Sequence, residues 1–129
     1  MTGTVGDFVI ERLHQWGVKL MFGYPGDGIN GTFAALQRVE GRIGFVQVRH
    51  EEMAAFMASA YAKFSGELGV CIATGGPGAT HLVTGLYDAK LDHQPVLAIA
   101  GQAAKTVRGA HYQQELNLDR LLADVTDYV

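Results

Sequence analysis

Cysteine is almost missing from this sequence: its 129 residues hold one, Cys71. A single thiol excludes an internal disulfide framework and suits a reducing, cytoplasmic setting. It lies inside the apolar run from Leu68 to Ala73, without the electropositive loop that a reactive thiolate needs. Proline is scarce too, at three residues, so the 17 glycines fall between periodic segments and mark tight turns. A basic stripe is absent: 10 basic and 13 acidic residues are interspersed for a net charge of −3, which speaks against nucleic acid or a membrane surface as partner. No apolar run approaches the length of a membrane span. The segment Met1 to Asp7 lacks the charged and apolar regions of a signal peptide.

What is present is one domain's worth of periodic structure with no internal boundary. Thr4 to Trp16 reads as an amphipathic helix with Val5, Phe8, Val9, Leu13 and Trp16 on its apolar face and Arg12 at the edge. Thr4 with Asp7 supplies its cap and Gly17 its stop. Strands follow at Val18 to Phe22, Ile43 to Val48, Gly69 to Thr74 and Pro95 to Ala100. Between them, helices are expected at Asn30 to Arg38 (Phe33, Ala34 and Leu36 inward), Glu51 to Phe64 (Met53, Ala54, Phe56, Met57, Ala60, Tyr61) and Ala79 to Leu91. A short helix near Leu116 to Leu122 and a strand opening at Val125 to Val129 complete the pattern, which breaks off there like a piece of a longer protein. Strands alternating with helices, each strand reading as buried on both faces, predict a three-layer α/β/α domain on a parallel sheet.

In such sheets ligands bind outside the carboxyl ends of the strands. That picks out Gly23 to Gly28, Arg49-His50-Glu51-Glu52, and Thr74 to His81. None is decisive alone. Gly75-Gly76-Pro77-Gly78 is neither a dinucleotide fingerprint nor a P-loop. A carboxylate at a helix start such as Glu51 has a bland explanation, complementing the helix dipole for about 0.3–1 kcal/mol.

Taken in order, Gly23-Tyr24-Pro25-Gly26, Arg49-His50-Glu51-Glu52, Thr74-Gly75-Gly76-Pro77-Gly78-Ala79-Thr80-His81 and Pro95 to Gln102 closely resemble the N-terminal pyrimidine-binding (PYR) domain of thiamine-diphosphate enzymes. The match is to the pyruvate oxidase and acetolactate synthase branch and runs from about Val5 to Val129. Gly85-Leu86-Tyr87-Asp88-Ala89 and the Thr80-His81 pair look like the pyruvate oxidase version; acetolactate synthases usually carry Asn at the position of His81. The resemblance implies a thiamin diphosphate-binding fold lacking its last helix and strand. It makes Glu51 the acid that hydrogen-bonds the pyrimidine ring nitrogen, so that the cofactor's amino nitrogen can take the thiazolium proton. Burial in an apolar cleft would raise the pKa of such a Glu.

The resemblance also implies cofactor or substrate contacts from Pro25, Gly26, Thr74, Pro77, Gly78, His81 and Gln114. Gln114-Glu115 matches part of the family's Phe-Gln-Glu segment, with Gln113 standing where Phe is expected. Mg²⁺ and any FAD would belong to domains outside this chain. The diphosphate would be held by the C-terminal domain of a partner subunit in a homodimer or larger homo-oligomer. Gly26-Asp27-Gly28 imitates the metal motif of that other domain but lacks its Asn. Asp27 is therefore expected to cap the second helix, and no metal ligand is expected. His14, His93 and His111 read as surface or capping residues. Small residues on more than one side of two helices (Ala54, Ala55, Ala58, Ala60, Val83, Gly85, Leu86) predict self-association. Two other readings compete: a non-catalytic assembly fragment of the same fold, and an unrelated nucleotide-binding domain, which lacks any phosphate fingerprint here.

Overall fold

Thr4 opens the first helix, and the reason is local. Its side-chain oxygen accepts the Asp7 N–H while its own N–H donates to the Asp7 carboxylate at 2.7 Å, so two otherwise orphaned donors are satisfied. The helix α1 (Val5–Gln15) ends where Gly17 takes a φ of +84°. Strand β1 (Leu20–Gly23) leads through a 3₁₀ turn at Asp27–Ile29 into α2 (Asn30–Arg38). There follow β2 (Gly44–Gln47), α3 (Glu51–Ser65), β3 (Gly69–Ala73), α4 (Pro77–Leu91), β4 (Val96–Ala100) and α5 (Leu118–Leu122). The structure, a computed structural model, describes residues 3–129.

All four strands are parallel, in the order β2-β1-β3-β4. Alternation along the strands builds two cores, one on each face. Met21, Val70 and Ile72 point to the side covered by Ile10 and Leu13 of α1 and Ala35 and Leu36 of α2. Phe22, Cys71 and Ala73 point to the other side, against Ala54, Ala55 and Ala58 of α3 and Leu82 and Leu86 of α4. This is the three-layer α/β/α domain that the sequence pattern predicts. Only β1 and β3 carry the double burial, however. The outer strands β2 and β4 are half-exposed, because each has a neighbour on one side alone.

Helices α3 and α4 run side by side along a seam with one contact per turn. Glu51 meets His81, Ala55 meets Gly85, Ser59 donates its hydroxyl to Asp88 at 2.8 Å, and Lys63 pairs with Asp92. A Cβ at Gly85 would stand 2.6 Å from the Ala55 Cβ and 2.7 Å from the Phe56 nitrogen, so this rung sets the helix separation. Most of the small residues of these helices are thus consumed within the chain, with Ala60 exposed and Val83 half-buried. Ala54, Ala55, Ala58, Gly85 and Leu86 are buried here and offer no surface for self-association.

Several local expectations are corrected. Val5, Phe8 and Trp16 face outward at 82%, 63% and 63% exposure, since α1 turns Gly6, Ile10 and Leu13 toward its neighbours and carries apolar residues on its other face as well. In α2 the inward alanine is Ala35, not Ala34, and in α3 Met53 and Ala60 are exposed. Asp27 does not cap α2, whose N-cap is Ile29; it starts the 3₁₀ turn and accepts the Gly28 N–H. The helix α4 begins two residues before Ala79, because Pro77 fits the first helical turn, where its missing N–H costs nothing. No strand forms at Val125 to Val129: Val125 and Thr126 fold back onto the Leu122 carbonyl, and Val125 packs into the core beside α4. Burial pushes the Cys71 thiol up to about 12, which removes it as a nucleophile.

The seam makes a prediction in which two effects oppose. Gly→Ala inside a helix gains about 0.5–1 kcal/mol, whereas overpacking costs about 1–3 kcal/mol. At Gly85 the obstacle includes backbone, so Gly85→Ala is expected to lower stability. At Gly31, where a Cβ meets nothing within 4 Å, the same change is expected to raise it. Urea midpoints of the two variants, moving in opposite directions, are the check.

Candidate functional site

The connections leaving β1 and β3 diverge: β1 leads outward to β2 across the α2 face, and β3 leads the other way to β4 across the α4 face. Their carboxyl ends therefore frame a crevice, the place where parallel sheets bind ligands. Thr74 fills its floor. A Cβ on Gly26 would lie 2.6 Å from the Thr74 Cβ, and one on Gly28 would lie 2.9 Å from its Oγ1. The Thr74 hydroxyl is buried and has no hydrogen-bond partner among the described residues. It borders a cavity of about 270 Å³ lined also by Gly75, Gln102, Tyr112 and Gln114.

Glu51 stands across Gly78 from Thr74. A Cβ on Gly78 would meet the Thr74 methyl at 3.1 Å and Glu51 Oε1 at 3.5 Å. The carboxyl is placed by the start of α3, whose N-cap is the preceding His50; the His50 Nδ1 accepts the Glu52 N–H at 3.3 Å. From α4, His81 Nδ1 lies 2.8 Å from Glu51 Oε2, and its ring stacks on that of His50 with centroids 4.3 Å apart.

The expected rise in the Glu51 pKa is reversed. Desolvation pushes the carboxyl up, but the His81 hydrogen bond, the residue's own backbone and the nearby charges of His81 and His50 together hold it below the ordinary glutamate range. The partner that decides this lies 30 positions along the chain, beyond the reach of a local reading. His50, Glu51 and His81 also have metal-ligand chemistry, their candidate ligand atoms lying within 4.8 Å of one another. Here His81 Nδ1 is engaged by the carboxylate and His50 Nδ1 by the helix cap.

The residues singled out from sequence fall into two groups. Thr74, Gly26, Gly78, Glu51 and His81 form one contiguous surface, and Gln114 joins it through the cavity beside Thr74. Pro25 and Pro77 are exposed at its rim. Gln114 has a φ of +62° and lies against Gly76, where a Cβ would be 2.7 Å from its own. Glu115 pins this loop, accepting the N–H groups of Gly109 and Tyr112, which keeps its carboxyl below the usual range. Gln102 was missed as a site residue. It lines the cavity and donates to the Leu116 carbonyl at 2.8 Å, and its position just past β4 was the available signal. His50 was missed because a histidine N-cap is uncommon. Glu52 turns toward His50, 3.9 Å away, and His14, His93 and His111 are exposed.

Comparison with known proteins decides the family. Residues 3–121 match the thiamine pyrophosphate enzyme N-terminal TPP binding domain. The chain belongs to that family. It is 48% identical over 123 residues to pyruvate oxidase of Lactiplantibacillus plantarum, covering 95% of this chain and 20% of that protein. Against acetolactate synthase of Arthrospira platensis it is 46% identical over 112 residues, covering 85% of this chain and 19% of the relative. With the acetolactate synthase isozyme 2 large subunit of Escherichia coli it shares 45% over 111 residues, covering 86% and 20%. The chain therefore spans about a fifth of the length of these relatives. No helix among the described residues is long and apolar enough to cross a membrane.

Two predictions follow from the site's energetics. A buried hydroxyl without a partner gives the fold nothing, so Thr74→Val, of the same shape, is expected to leave stability unchanged or raise it by up to about 1–2 kcal/mol; thermal melting is the measurement. For Glu51 the folded pKa is lowered, so its contribution is complete above the ordinary glutamate range and is lost as pH falls through the lowered value. Glu51→Gln is expected to melt below the wild type at neutral pH and to converge with it on acidification. Melting curves recorded across the acid range test this, and a constant gap would contradict it.

Proposed function

We propose that this chain supplies the pyrimidine half of a thiamine diphosphate site in an enzyme acting on a 2-keto acid such as pyruvate, with Glu51 as the residue that handles the proton. The observation that carries this reading is the carboxyl itself. One oxygen is held by His81, and the other lies over side-chain-free Gly78, beside a crevice whose floor carries an unpartnered hydroxyl. The residues present fit the group: Thr74 has an unused donor, and Gly26, Gly28 and Gly78 leave the backbone approachable.

Gly78, Thr74 and Gln114 would hold the ring, with Pro25, Gly26 and Pro77 at the rim. When bound, thiamine diphosphate supplies the carbon nucleophile that attacks the keto acid. Glu51 would share one proton between its Oε1 and the ring nitrogen. Because His81 stabilises the ionised carboxylate, Glu51 pushes that proton toward the ring, the direction its role requires. The diphosphate, Mg²⁺ and any FAD are assigned to other domains, with a partner subunit closing the site in a cytoplasmic homodimer or larger homo-oligomer. The chain alone is then inactive. The other reading, an assembly fragment without catalysis, leaves the Thr74 hydroxyl and the Gly78 clearance without a use.

The test is made in the longer enzyme that carries this domain. Glu51→Gln keeps the shape of the side chain but has no proton to share. Turnover is expected to fall about 10²- to 10⁴-fold, with thiazolium proton exchange, followed by NMR, slowed alongside it. Glu52→Gln, one residue on and turned toward His50, is the control. Equal exchange rates in the two variants would remove Glu51 from the role.

A further inference from the structure

We propose that His81 is a positioning residue for Glu51: its Nδ1 holds Oε2, which leaves Oε1 as the oxygen presented to the ligand. The inference rests on the reading of Glu51 given above and adds a residue to it. A carboxyl at a helix start rotates freely about its last bond unless something holds one oxygen. Here the hold is a 2.8 Å hydrogen bond from a side chain on the neighbouring helix. Besides His81, the backbone of Glu51 itself acts on the carboxyl, and Oε1 sits 3.5 Å from the point that a Gly78 side chain would occupy.

The His81 ring is itself fixed. It stacks on His50 at a 29° interplanar angle, and His50 is tied through Nδ1 to the Glu52 N–H at the cap of α3. The two helices cannot slide, because the next rung of their seam is the backbone-tight contact of Gly85 with Ala55. The arrangement thus closes on itself: the α3 cap orients His50, His50 supports His81, and His81 orients the carboxyl one residue past His50. The ionisable groups facing Glu51 are His81 from α4 and His50 from the loop ahead of α3, while Glu52 faces His50.

The bland alternative makes the pair a solvent-exposed contact at the top of the helix seam that places no hold on the carboxyl. The two readings separate in how Glu51 titrates. His81 offers a donor and, when protonated, a charge; Asn keeps a donor in a similar place and carries no charge; Leu has neither. The side-chain carboxyl carbon of Glu51 is to be followed by NMR against pH, without cofactor, in the 129-residue wild-type chain and in His81→Asn and His81→Leu. The expected order of midpoints is wild type lowest, Asn above it and Leu highest, the last because desolvation is left less opposed. The His81 side chain lies at the surface, 42% exposed, so both variants are expected to fold; if Leu does not, wild type against Asn decides alone. Coincident midpoints would overturn the proposal. Because no cofactor is used, that outcome would leave the thiazolium exchange test of Glu51 standing, and a failed exchange test would leave this one standing.

Discussion

The contact between Gly85 and Ala55 governs the arrangement of the site. Two parallel helices that start at the carboxyl ends of β2 and β3, strands separated by β1, diverge or converge according to what lies between them, and here a hydrogen atom lies between them. The close approach lets Ser59 reach Asp88 and Lys63 reach Asp92 farther down the seam. At the top it brings a carboxyl and an imidazole to hydrogen-bonding distance. The electrostatic character of Glu51 is therefore a product of packing one turn away.

The sheet supplies the complementary half of the geometry. Because β1 and β3 send their chains to opposite edges, neither of those two connections crosses the crevice between them, and the loop after β4 borders it with Gln102, Tyr112 and Gln114. The β1 loop lends its glycines and the β3 loop lends Thr74, and the two loops close on each other without a side chain intervening. What remains is a small polar notch with one donor to spare, next to a carboxyl whose proton affinity is set from outside the notch. That division, a notch built by glycines and a carboxyl tuned separately, is what the proposed function draws on.

Much of this was legible in the sequence, and the failures share a cause. Strand and helix order follows from runs such as Gly69 to Ala73 and from the punctuation of Thr4, Gly17 and Pro77. The inward faces of α1 and α2 followed only in part: Val9, Leu13, Phe33 and Leu36 turn inward as expected, but apolar residues ring those helices and periodicity cannot choose among Val5, Phe8 and Ile10, or between Ala34 and Ala35. The contiguous site residues were visible as ordered motifs at strand ends. The lowered Glu51 carboxyl was not, since burial alone predicts a rise and its counterweight comes from another helix. The fifth strand failed for the complementary reason: Val125 is apolar because it packs beside α4, not because it pairs.

The pairing of β1 with β3 has a kinetic consequence. Phe22 lies beside Cys71, so that ladder joins parts of the chain separated by two helices and a strand. Such a loop must close before any of its contacts repay the entropy lost, which makes parallel pairings of this span slow steps in folding. Gly26 and Gly28 can meet Thr74 only after that closure. The pairing of β1 with β2 spans α2 alone and closes a shorter loop, but the notch exists only once the central pair has formed. An intermediate with its helices in place would thus still be blind to ligand, and ligand recognition would appear late, together with the native sheet.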